Sequence, residues 1–169
     1  SRLLRPSRRH LLSKRESKAI VETFKQLIDE ELKPEVIEVA IFQDFEIYII
    51  DGKPALAKVS GEFVPLLSFL LSSKTTTRIP TIYVDRGATI ALSRGADLMA
   101  PGVRKVEGEF EAGAVVVVAD EEKKAPIMVG KALVSSEELR KAVETKARGK
   151  VVINLHHVGD EIWKTSTLL

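Results

Sequence analysis

The 169-residue chain contains no cysteine. That removes disulfides, thiolate nucleophiles and every cysteine-based zinc or iron-sulfur site at once, so stability must come from packing and charge. Long apolar runs are missing too. The strongest, Phe63 to Leu71, is broken by Pro65 and Ser68 and falls well short of the roughly 20 residues that a membrane span needs. No membrane partner is expected. The first 14 residues lack the apolar stretch and small-residue cleavage site of a secretory signal, which makes the cytoplasm the expected location. Amides are scarce, only Asn154, Gln26 and Gln43 beside many Lys, Glu and Val, a bias of heat-adapted proteins that points to a thermophilic, archaeal source. There is no G-x-x-x-x-G-K-[ST] phosphate loop, no dinucleotide fingerprint and no G-x-S-x-G nucleophile elbow. His156 and His157 are adjacent, so in a strand they point to opposite faces, and His10 stands alone. Neither a metal, nor a cofactor, nor enzymatic activity is expected.

What is present reads as an ordinary folded chain, with 44% hydrophobic and 30% charged residues. Its length suits one compact domain or two small ones. The net charge of +2 hides a strong asymmetry. Arg2, Arg5, Arg8, Arg9, Lys14, Arg15 and Lys18 crowd the first 18 residues against the single acid Glu16. Asp29, Glu30, Glu31, Glu35, Glu38, Asp44, Glu46 and Asp51 then follow. A phosphate-rich partner is attracted to the first stretch and repelled by the second.

Patterning divides the chain into two halves. Leu11 and Leu12 suit a short strand. Ser13 and Glu16 then match the S-x-x-E capping box, and Ile20, Phe24, Leu27 and Ile28 share one face of a helix that Pro34 closes. Val36 to Phe42, Phe45 to Ile50 and Ala55 to Val59 predict a three-stranded antiparallel sheet with an Asp51-Gly52 turn, and Phe63 to Leu71 a short helix with Pro65 in its first turn. Ser72 to Thr77 is polar and unpatterned, which places the domain boundary at 1–77 and 78–169. The second half is β-rich. Strands are predicted at Ile79 to Val84, Asp97 to Met99, Val103 to Val106, Ala114 to Ala119 and Pro126 to Val134, and again at Val151 to Leu155 and Glu161 to Lys164. A short helix runs from the cap Asp85 to Gly95, and another from the Ser135 and Glu138 capping pair to Lys146. The fold class is α+β, a small N-terminal α/β domain followed by a closed or partly closed barrel.

The stretch Val84-Asp85-Arg86-Gly87-Ala88, then Arg94-Gly95-Ala96-Asp97-Leu98-Met99-Ala100-Pro101-Gly102-Val103, resembles the opening of a PUA domain. Val129-Gly130-Lys131-Ala132-Leu133-Val134-Ser135-Ser136-Glu137-Glu138-Leu139 resembles the strand-to-helix passage of the same family. With a closing strand around Trp163, this resemblance covers roughly residues 78 to 165. It implies a β pseudo-barrel that binds structured RNA. Arg9-His10-Leu11-Leu12-Ser13-Lys14-Arg15-Glu16, with the helix and sheet after it, is similar to the pre-PUA domain of the malignant T-cell-amplified and ligatin family. Members of that family are accessory initiation or recycling factors acting on the small ribosomal subunit and tRNA, commonly beside a partner with an initiation-factor-like domain. The resemblance therefore implies structured RNA (tRNA or rRNA), the small ribosomal subunit and such a protein as partners. Two alternatives stay open: a ribosome-biogenesis factor of the Nip-seven type, and a protein adaptor whose acidic N-terminal sheet docks a partner.

Gly87 and Gly95 bracket the first helix of the second half. Their missing side chains would admit an RNA backbone and leave helix amides for a phosphate, or they simply start and stop the helix. Ala88 and Ala96 flank them. Arg86, Arg94, Arg104 and Lys105 lie on or beside this element and suit phosphates and base edges, or serve only as a solvated face. The family's RNA site lies between this helix, the following strand and the last strand, which by resemblance adds Asp97, Met99, Trp163 and Lys164. Trp163, the chain's single tryptophan, is read either as a stacking platform for a base or as a core anchor. Pro101-Gly102 reads as a plain turn.

Overall fold

The computed structural model describes residues 5–28, 32–73 and 78–169. Arg2, the acids Asp29, Glu30 and Glu31, and the 74–77 part of the expected boundary lie outside those residues. The chain divides into two compact units, residues 1–78 with 159–169, and residues 79–158.

The first unit is a five-stranded antiparallel sheet in the order β1 (Arg8–Leu11), β2 (Ile37–Ile41), β3 (Phe45–Ile50), β4 (Lys53–Val59) and β5 (Glu62–Pro65). Between β1 and β2 runs helix α1 (Lys14–Leu27), and it starts where the capping box predicts. The Ser13 hydroxyl accepts from Glu16 N–H (3.2 Å) while Glu16 Oε1 accepts from Ser13 N–H (3.1 Å). Ile20 and Phe24 are its buried residues, and the Phe24 ring meets Phe69 edge-on at 5.5 Å between centroids.

Three expectations for this half are corrected. The helix ends at Leu27 rather than running to Pro34, because Ile28 is already extended and its N–H caps Phe24 O. The sheet has five strands, not three. Phe63 and Pro65 belong to β5, and the short helix α2 (Leu67–Ser72) begins only beyond them. Pro65 fits that strand because β5 is an edge with a single neighbour, where a missing N–H costs little.

The second unit is a six-stranded sheet built from β6 (Thr81–Val84), β7 (Leu98–Met99), β8 (Val103–Glu107), β9 (Val115–Asp120), β10 (Pro126–Ala132) and β11 (Lys150–His157). Their order is β7-β11-β10-β9-β6-β8, antiparallel except for β6 against β9. The two edges, β7 and β8, are separated in sequence only by the 3-10 turn Ala100–Gly102. The sheet therefore curls until its edges approach, which is the pseudo-barrel. Helix α3 (Arg86–Leu92) follows β6, and helix α4 (Ser136–Thr145) joins β10 to β11. Ile82, Val84, Leu92, Leu98, Val116, Met128, Leu139 and Val152 fill one shared core.

Glu161 to Lys164 is not a closing strand. It belongs to helix α5 (Glu161–Ser166), whose N-cap Asp160 accepts from Trp163 N–H at 2.7 Å. The last strand of the sheet is β11, and α5 is part of the first unit, where the Ser166 and Ser68 hydroxyls meet at 3.1 Å. An Asp followed by a short apolar-polar alternation satisfies strand and helix patterns alike, so only the cap geometry decides between them.

Candidate nucleic-acid interface

The site grows from the ends of α3. At its start the Asp85 carboxylate accepts from Ala88 N–H (2.8 Å), the cap that β6 delivers. That carboxylate also lies 3.6 Å from the Arg104 guanidinium, and Glu121 lies 3.9 Å from it on another side. A capping carboxylate stands where a phosphate on the helix amides would sit, so the short helix supplies no anion site of its own. Phosphate attraction here falls to side chains.

At its end α3 closes with the paired bonds of a Schellman motif: Ala96 N–H donates to Ala91 O (3.1 Å) and Gly95 N–H to Leu92 O (3.0 Å). Gly95 sits at φ +95°, the left-handed position that favours glycine, so it stops the helix as the simpler reading holds. Gly87 has no such constraint. A Cβ there would meet only Asp85 of its own cap, at 3.5 Å, so this exposed position is open to a close backbone approach.

The loop beyond is fastened to β11. Asp97 accepts from Asn154 N–H (2.8 Å) and from the Lys150 ammonium (2.9 Å), while the Asn154 amide donates to Ala96 O (2.8 Å) and Leu92 O (3.1 Å). The Lys150 hydrogen bond, followed by that of Asn154 N–H, holds the Asp97 carboxyl below its usual range. Asp97 is thus a positioning group that fixes the loop carrying Arg94, Gly95 and Ala96.

Arg86 and Arg94 stand exposed at opposite ends of α3 and make no ion pair among the described residues. Ile90, 42% exposed, lies one helical turn from Arg86 and adds an apolar contact between the two cations. Met99 is exposed on β7 opposite Lys150 in the register, which puts the two side chains on one face. The structure therefore brings together Arg86, Gly87, Ala88, Arg94, Gly95, Ala96, Asp97 and Met99 around one helix and its following loop.

Arg104 reaches the cap of α3 through Asp85, 3.6 Å away, whereas Lys105 stands apart from that group. They are neighbours on β8 and point to opposite faces; Arg104 is engaged with Asp85 and Glu121, and Lys105 with Glu107 (2.9 Å). Both are more than half exposed, so these surface pairs are weak and can be exchanged for phosphate. Trp163 and Lys164 lie on α5 in the other unit, and the reading that put them on the last strand of the barrel is corrected with that strand. Gly102, read as a plain turn, is a close-packing position: a Cβ there would lie 2.7 Å from the Ala88 Cβ, where the 3-10 turn crosses α3. Asn154 and Lys150 were missed. The signal was available in the rarity of the amide, since Asn154 is the only asparagine in the chain and stands in a β-branched run.

Comparison with known proteins agrees with this layout. The PUA domain family matches residues 80–158, and a family described as a domain of unknown function matches residues 8–73. The chain is 39% identical over 160 residues to an uncharacterised protein of Methanocaldococcus jannaschii, covering 92% of this chain and 95% of the relative. It is 31% identical over 148 residues to the translation machinery-associated protein 20 of Schizosaccharomyces pombe, covering 83% and 78%. A crystal structure of a PUA domain protein from Aeropyrum pernix superposes with a TM-score of 0.82 at 33% identity, covering 98% of both chains. With a pre-PUA region preceding a PUA domain, and full-length relatives at this identity, the chain belongs to the two-part PUA-domain family of the malignant T-cell-amplified and ligatin type.

Proposed function

We propose that this protein is an RNA-binding accessory factor of translation, without catalytic activity of its own, that works in the cytoplasm on the small ribosomal subunit, tRNA or both. The observation that carries the reading is the α3 face: two exposed arginines free of carboxylate partners among the described residues, an open Gly87 between the first of them and the rest of the helix, and a loop held by Asp97 and Asn154. Phosphate contacts from such arginines position an RNA, and a rigid loop with exposed Ile90 and Met99 adds shape-dependent contact. The fission yeast relative carries translation-machinery association in its name, which supports the cellular setting. A partner with an initiation-factor-like domain belongs to the same reading.

Replacing Arg86 and Arg94 together with Ala should weaken binding of a structured RNA and flatten its log-log salt dependence by about one to two units, measured by fluorescence anisotropy across a salt series. In lysate gradients the protein should migrate with small subunits. Co-migration with large-subunit precursors instead would favour the ribosome-biogenesis reading, and a protein that binds no RNA but captures a protein partner would favour the adaptor.

A further inference from the structure

Strand β1 is an outer strand of the first unit's sheet, with β2 as its one neighbour among the described residues. The register fixes which of its backbone groups face outward. Leu12 N–H donates to Ile37 O (2.9 Å), and on the other side of β2 Asp51 N–H donates to Val36 O (2.9 Å). Bonding alternates along an antiparallel ladder, so Arg8 and His10 turn their backbone groups to β2 as Leu12 does. Arg9 and Leu11 therefore present both N–H and C=O along the free edge. An edge of this kind is a template for a further strand unless something covers or blunts it.

The side chains around the edge differ between its two faces. Leu11 is 64% exposed and Val36 is 43% exposed. Leu11 lies opposite Glu38, two residues beyond Val36, so the two apolar side chains are diagonal neighbours on one face. Glu38, the one acid on β1 and β2, is held by Arg9 at 2.9 Å. Arg8 points to the opposite face. It is exposed, as Arg5 is, and neither makes an ion pair among the described residues.

We propose that β1 accepts an added strand from a protein partner: an extended acidic segment of alternating pattern, its apolar side chains over Leu11 and Val36 and its carboxylates beside Arg8. The inference goes beyond the RNA-binding reading and does not rest on it. A strand satisfies the outward donors and acceptors together, whereas a phosphate only accepts and would face the Arg9 and Leu11 carbonyl oxygens as like charge. A phosphate chain would also leave Leu11 and Val36 in water. A second copy of β1 is disfavoured, because it would set the Arg8 and Arg9 cations of both chains along one ladder. Carboxylates in the added strand meet those cations instead.

The test titrates the nitrogen-15-labelled full chain with two short synthetic peptides of equal length, composition and charge. In one, Glu and Val alternate; in the other, all Glu precede all Val. The alternating peptide should slow hydrogen exchange of the Arg9 and Leu11 amides and leave those of Arg8 and His10, already bonded to β2, unchanged. The block peptide should bind about tenfold more weakly, the worth of a few backbone hydrogen bonds. N-methylation of the alternating peptide should separate its two sets of nitrogens: one set faces β1 and costs about tenfold in affinity, while the other faces solvent and costs little. Leu11→Pro removes an outward donor but no bond to β2, so the chain should stay folded and lose similar affinity. Arg8→Glu tests the charge on an unaltered backbone and should also weaken the peptide. Equal binding of the alternating and block peptides, equal effects of the two methylations, or no slowing at Arg9 and Leu11 would overturn the proposal. An oligouridylate of matching length that binds at least as tightly as the alternating peptide would give the edge to RNA. Protection of those two amides that rises with protein concentration alone would give it to a second copy. The R86A/R94A chain should bind the peptide as wild type does, which keeps this result separate from the RNA reading.

Discussion

Asp97 shows how one side chain sets the geometry of others without touching a ligand. Its carboxylate joins the loop after α3 to β11 through Asn154 N–H and Lys150, and the Asn154 amide completes the clamp on Ala96 and Leu92. Its folded-state pKa is depressed below the ordinary 3.8, chiefly by the Lys150 hydrogen bond. The corresponding stability is present above that ordinary value and is lost as pH falls through the folded one. Asp97→Asn should therefore melt below wild type at about pH 7, and the difference should shrink as pH drops below about 4, followed by thermal denaturation across a pH series. The places of Arg86 and Arg94 at the two ends of α3 were legible from sequence because an arginine beside a glycine at each helix end is a local pattern. The clamp was not, because Asp97 and Asn154 are brought together by the pairing of β7 with β11, a relation that no local window contains.

At the scale of elements, the starts of helices were legible wherever a side chain caps them. Ser13, Asp85 and Ser135 each accept from the backbone N–H three residues on, and each of those helices begins where its cap predicts. Element type failed where short segments fit two patterns. Glu62 to Pro65 pairs with β4 through a register that the Ser60 and Gly61 turn sets, at φ 51° and 78°, and α5 reads as a strand until its Asp160 cap is seen. Close approaches between elements were equally invisible. Gly102 crosses Ala88, and a Cβ at Gly130 would strike the carbonyl oxygen of Ile153 across the β10/β11 bulge. Gly102→Ala and Gly130→Ala should each destabilise the second unit by about 1–3 kcal/mol, the usual cost of overpacking. Gly130→Ala should cost more, since the atom it meets is backbone and cannot turn away. Chemical denaturation of both variants ranks them.

For the whole molecule, the consequential observation is that the last segment of the chain belongs with the first unit. Residues 159–169 group with 1–78; Ile162, Thr165 and Ser166 of α5 are buried, and the Ser166 hydroxyl meets that of Ser68 on α2. A split after the polar run near residue 77, the one that sequence patterning suggests, leaves α5 on the wrong fragment. The second unit has its own closed set of core residues from Ile82 to Val152, none of them drawn from α5. A fragment of residues 79–158 should therefore fold alone and melt cooperatively, and adding 159–169 to it should not raise its melting temperature. Deleting 159–169 from the full chain should act on the other unit, uncovering the face of α2 that α5 packs against. Burial of one Ile side chain is worth roughly 1.5–3 kcal/mol, enough to lower that unit's transition by several degrees. Hydrogen exchange on the truncated chain separates the two effects: amides of β2 to β4 should lose protection while those of β9 to β11 keep theirs. Loss of protection in β9 to β11 would mean that the barrel depends on the C-terminal helix, as the boundary read from sequence implies.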